Sequence, residues 1–280
     1  MIKKLKYAIV LSIVIILGFS ATLAINLKNV TNRDMDVVDY DNAKSRLTPF
    51  KDLEFEEDYG EFANWMTENR NNDFVYTYGS ISDENATRLR DELFSTYIDF
   101  PTSFEKYIND GGIIVIASTW DEFNKMSDDL FYSKIKNENS SHVAGYILYD
   151  NIDETPNVIC LSYGRMTKDA VGDEDKDIEN SIIEFMNWGA TLKHEFAHYI
   201  DIVYGFSDTD EFNRYFKEYA VDYVPRGAIA EDYQLKNEKE FFAILTADIM
   251  GYQDSVLNIP ADLYDYMYNC LYESDGIIKE

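Results

Sequence analysis

His194 and His198 stand four residues apart, with Glu195 directly after the first, in the run His194-Glu195-Phe196-Ala197-His198. On an α-helix, residues at this spacing lie one above the other on the same face, so both imidazoles can grip a single cation. Imidazole nitrogens bind zinc at about 2.0 to 2.1 Å. Glu195 projects toward the open coordination side of the same ion. A carboxylate there can take a proton from an attacking water and hand it to a leaving amine, which is the chemistry of peptide-bond hydrolysis. The chain holds three histidines, and the third, His142, reads as a loop residue.

A catalytic zinc site needs a third protein ligand and one open position. Asp201 lies three residues beyond His198, but on a continuing helix it sits about 10 Å along the axis from His194, too far to share an ion. No Gly stands where a bend would return another ligand to the site. The segment Asn237-Glu238-Lys239-Glu240-Phe241-Phe242-Ala243 opens an apolar helix and offers Glu238 and Glu240. Glu240 is also the third residue of a capping box begun by Asn237, so two uses compete for one carboxylate.

The elements that must position these groups are legible as patterns. A helix is expected from about Asp177 to Tyr204, with Ser181 and Glu184 spaced as a capping box and Gly205 placed to stop it. Phe185, Gly189, Leu192, Phe196 and Val203 fall on one face, opposite His194 and His198. Further helices are expected over about 208–220, 237–250 and 260–272. Upstream, residues 112–117, 144–149 and 157–162 read as short strands, and about 51–110 reads as helical. The fold class expected is α+β: a small, mostly antiparallel sheet followed by a helical half that contains the active-site helix. Asp173, Asp175, Asp177 and Glu184 have spacings reminiscent of a calcium loop, but Ile178 stands where such a loop needs Gly, so this stretch reads as a solvated acidic loop.

The chain has 280 residues and is 46% hydrophobic, enough for a real core, and its net charge of −27 argues against nucleic acid and favours basic or neutral peptides. Met-Ile-Lys-Lys-Leu-Lys precedes an uncharged apolar stretch from Tyr7 to Leu27 with small residues near its end. Residues 1–27 therefore read as an export signal or, since about 20 apolar residues span a bilayer, as an N-terminal membrane anchor. The protein is expected to be secreted, or membrane-anchored with its catalytic domain outside. Residues 28–50 read as a linker and 51–280 as one catalytic domain, expected to be monomeric. Cys160 and Cys270 are too few for a disulfide scaffold and read as two separately buried thiols.

The histidine motif and the segment after it resemble the zinc peptidases of the anthrax lethal factor type, which include small secreted Pro-Pro endopeptidases. The resemblance covers about residues 190–245: His194 to Asp201, then Phe212, Tyr215, Glu218 and Tyr233, then Glu238 to Ala243. It implies one zinc ion held by His194, His198 and Glu240, with Glu195 as general base and Tyr233 stabilising the oxyanion. It also implies a peptide substrate that adds as an antiparallel strand to a sheet edge, with Pro-containing sites as one expectation for cleavage. Ile244 departs from the family, which places a carboxylate there to orient a zinc-binding His; Asp201 or Asp248 are candidate substitutes. That departure favours the competing reading, an exported non-catalytic binding module that retains the peptidase fold.

Overall fold

The computed structural model describes residues 47–50, 59–68, 74–119, 121–123, 125–126, 145–148, 158–163, 190–223, 235–251 and 259–275. The export segment, His142, the acidic loop, the 177–189 part of the expected long helix and Tyr233 lie outside these residues. In chain order the described elements are β1 (Thr48–Pro49), α1 (Gly60–Glu68), β2 (Val75–Tyr78), α2 (Asp83–Asp99), α3 (Pro101–Asn109), β3 (Ile113–Ala117), β4 (Gly145–Leu148) and β5 (Val158–Ser162). Next come α4 (Ala190–Tyr204), a 3-10 turn (Phe206–Asp208), α5 (Asp210–Tyr219), α6 (Glu238–Gly251) and α7 (Ala261–Asp275). No described helix is long and apolar enough to cross a membrane.

The fold is helix-rich with one five-stranded sheet, ordered β1-β2-β3-β5-β4. The expectation of a mostly antiparallel sheet is corrected: β2 to β3 and β3 to β5 pair parallel, and only the outer pairs, β1 with β2 and β4 with β5, are antiparallel. The reason is the connection between β2 and β3. It contains α2 and α3, and such a crossover returns the chain to the end from which β2 started, so β3 runs the same way. The expectation that 51–110 is wholly helical is corrected as well, because Val75-Tyr-Thr-Tyr78 is a strand. Its residues are β-branched or aromatic, bounded by Asn-Asn-Asp before and Gly79 after. A strand covered on both faces shows no alternation to reveal it. Thr48 and Pro49, in the stretch read as a linker, pair with Thr77 and Tyr76.

One core joins the sheet to the helices. Ile114, Ile116, Ile159 and Leu161 share a buried cluster with Leu89 and Leu93 of α2, Phe104 and Tyr107 of α3, and Leu192, Phe196, Tyr199 and Ile200 of α4. Helix α2 starts where Ser82 Oγ accepts the Asn85 amide at 3.2 Å. Helix α3 comes at once, with Pro101 at its first position, where no backbone donor is needed. Helix α4 ends as its sequence demands: Gly205 adopts φ +70° and its amide donates to Asp201 O at 2.7 Å. Any side chain at that φ would strain the cap.

Phe196, inside the histidine motif, is the anchor of α4. Its ring centroid lies 5.7 Å from Phe100, 5.8 Å from Phe104, 5.7 Å from Tyr107 and 5.5 Å from Tyr199. Aromatic pairs at such distances add about 0.5 to 1.5 kcal/mol each beyond burial. Phe196→Ala should therefore destabilise the fold by about 3 to 5 kcal/mol, as read by urea unfolding. A loss under about 1 kcal/mol would show that α4 is held elsewhere.

Candidate metal centre

Helix α4 is buried on almost every side, and His194 and Glu195 are only 8% and 5% exposed. The spacing of the histidines places their rings on one face with centroids 4.9 Å apart, at 89° to each other. Helix α6 packs against α4 and brings the missing carboxylate: Glu240 Oε2 lies 3.4 Å from His194 Nε2 and 3.4 Å from His198 Nε2. The donor atoms of these three residues lie within 4.8 Å of one another, and they are the one such group among the described residues. His194, His198 and Glu240 could therefore hold a metal ion. Glu238, the other carboxylate offered by the sequence, is not part of the group.

The anticipated competition between cap and ligand does not arise. Asn237 Oδ1 accepts the Glu240 backbone amide at 2.9 Å, so the cap draws on the main chain while the carboxylate faces the imidazoles. Burial works to raise the Glu240 carboxyl, but hydrogen bonds and charge from both histidines outweigh it and hold the group far below the usual carboxylate range.

Glu195 sits beneath the last strand of the sheet. An atom added at the Cα of Gly145 in β4 would meet Thr191 Cγ2 at 2.9 Å and Glu195 Cγ and Oε1 at 3.1 Å. The strand can lie this close to α4 only because residue 145 lacks a side chain. The backbone amide of Ile147 donates to the Glu195 carboxylate. Burial pushes that carboxyl up; the charge of His198 opposes the rise, Glu240 adds to it and the Ile147 amide opposes it, leaving the group at about 8.

The two carboxylates weighed as substitutes for the one that Ile244 replaces have other partners. Asp201 takes the Ser207 amide on Oδ1 at 2.7 Å and the Ser207 hydroxyl on Oδ2 at 2.6 Å, tying the end of α4 to the 3-10 turn. Asp248 Oδ2 accepts from Tyr223 Oη at 2.5 Å. Ile244 itself is core, 6% exposed. Sequence reasoning passed over Gly145, whose presence inside a strand was a signal of close backbone approach. It also passed over Lys193, a lysine that is 3% exposed and lies beside the first histidine.

No protein-family model, curated protein or solved structure matches this chain.

The two glutamates give the metal-free protein opposite pH signatures. Glu195 is raised above its unfolded value, so its contribution is complete below the ordinary carboxylate range and is lost as pH climbs toward about 8. Glu240 is lowered, so its contribution is present above the ordinary range and is lost only as pH falls below it. Between about pH 5 and pH 8 the Glu195 effect stands clear of the Glu240 effect. The melting temperature of the metal-free protein should fall across that window, and Glu195→Gln should flatten part of the slope in scanning calorimetry. An unaltered slope would mean that Glu195 is ionised throughout.

Proposed function

We propose that this protein is an exported zinc-dependent endopeptidase similar to the lethal factor type, with zinc held by His194, His198 and Glu240. The observation that carries the reading is the equal 3.4 Å separation of Glu240 Oε2 from the two Nε2 atoms. Four ligands about 2.1 Å from a tetrahedral zinc lie about 3.4 Å from one another, and two imidazoles with one carboxylate leave a fourth position open. Bound there, zinc supplies a Lewis acid and a cationic charge that draws down the proton affinity of its surroundings.

The chain's own groups do the rest. Glu195, held by the Ile147 amide, receives the proton of the attacking water and delivers it to the leaving amine. Tyr233 donates to the oxyanion as it develops, a contact absent from the ground state. The substrate binds as an extended strand along β4, which is the outer strand of the sheet and lies against α4 beside Glu195. A net charge of −27 favours basic or neutral peptides. Export by residues 1–27, cleaved or retained as an anchor, places the enzyme outside the cell.

Metal analysis and a peptide-library digest test this reading together. The wild type should retain one zinc per chain and cleave peptides, and Glu240→Ala should lose the metal under chelator challenge. Glu195→Gln should keep both fold and zinc but lose turnover, since Gln preserves the shape without accepting a proton. A wild type that keeps zinc yet cleaves nothing in the library would return the protein to the class of binding modules.

Tyr233→Phe separates an oxyanion donor from a packing residue. Loss of such a donor costs about 10² to 10³-fold in turnover, with little change in substrate binding. Single-turnover rates measured beside zinc content should show this, and an undiminished chemical step would make Tyr233 part of the scaffold.

A further inference from the structure

Lys193 immediately precedes the first metal-binding histidine, yet points away from that site into the protein. Its side chain is 3% exposed, with Nζ 2.6 Å from Asp99 Oδ2 and donating to Met250 O at 3.0 Å. The two partners lie on different helices. Asp99 is the last residue of α2, and Met250 belongs to α6, the helix that carries Glu240.

Burying an ammonium group is costly even when it is paired, and an apolar side chain at such a place is often as stabilising or more so. The presence of Lys193 is therefore poorly explained by stability alone. Geometry offers a better reason. Met250 lies ten residues beyond Glu240, about 15 Å along α6, so α4 is joined to α6 at two well-separated points. One is the His194, His198 and Glu240 group; the other is Lys193. Side-chain tips ride about 5 to 6 Å from a helix axis, so a rotation of about 10° displaces them by about 1 Å. Metal–ligand distances tolerate only about 0.2 Å.

We propose that Lys193 is a positioning residue for the metal site: its ammonium clamps α4 to α6 at Met250 and to the end of α2 at Asp99, fixing the rotation of the histidine-bearing helix relative to Glu240. The clamp acts on metal affinity through the relative setting of two helices rather than through contact with the ion. It rests on the reading of His194, His198 and Glu240 as a metal site, and it adds a determinant that is not among the residues carrying the resemblance.

The test is the zinc dissociation constant of the full chain, measured by competition with a chromophoric chelator, beside the melting temperature of the metal-free protein. Lys193→Met keeps the aliphatic stem and removes the charge. It should weaken zinc binding by about 10-fold or more, the scale found when groups that orient ligands are removed. Lys193→Arg, which can still pair with Asp99, should recover most of that loss. A residue needed only for stability would lower the melting temperature and leave zinc affinity at a temperature well below it unchanged. Wild-type affinity in a folded Lys193→Met protein overturns the clamp. Should that variant not fold, Asp99→Asn, nearly isosteric and at the more exposed end of the pair, takes its place. It is expected to weaken zinc about three-fold or more, and wild-type affinity again overturns the proposal. A wild-type protein that takes up no zinc overturns the clamp and the metal-site reading together, whereas equal affinities in wild type and variant overturn the clamp alone.

Discussion

The packing of α4 against α6 is the constraint on which the rest of the structure depends. Two imidazoles reach one carboxylate oxygen only if these helices hold their spacing and rotation, and most of the other described features bear on that. Phe196 fixes the rear of α4 in the aromatic group of α3. Asp201 closes the far end of α4 on Ser207, and Phe241 and Phe242 set the start of α6 into the core beside Phe212. The result is a polar site set among close-packed helices.

The sheet serves this arrangement from the other side. Its outer strand β4 approaches the histidine-bearing helix through Gly145, and its main chain holds the carboxylate of Glu195. A carboxyl so deeply buried resists ionisation, and the nearby Glu240 adds to that resistance. The same low-dielectric surroundings make any cation introduced among these groups count for more than it would in water. Burial thus sets both the cost of the site and the strength with which it could hold a cation.

Much of this was legible in the sequence because the informative signals are local. The i, i+4 histidines and the Gly205 stop each depend on a few neighbouring residues, and the structure places both as expected. The choice of Glu240 over Glu238 came from resemblance, and the geometry favours it because only Glu240 approaches the imidazoles. Features set by distant partners could not be read. The strand Val75–Tyr78 is short and buried, so it lacks the alternation that marks a half-exposed strand. The parallel direction of β2 and β3 stems from the helical crossover between them rather than from the residues of either strand. Nothing in the neighbourhood of Lys193 along the chain marks it as buried; its partners are Asp99 at the end of α2 and Met250 on α6.

Cys160 lies within β5 and Cys270 within α7, both buried and neither bridged in a disulfide. Thiol–disulfide exchange needs a thiolate that an oxidant can reach, and burial in apolar surroundings suppresses both the ionisation and the access. These are the only two cysteines in the chain. Once folded, the protein offers neither thiol to the redox couples around it, so no disulfide within the chain distinguishes a reducing compartment from an oxidising one.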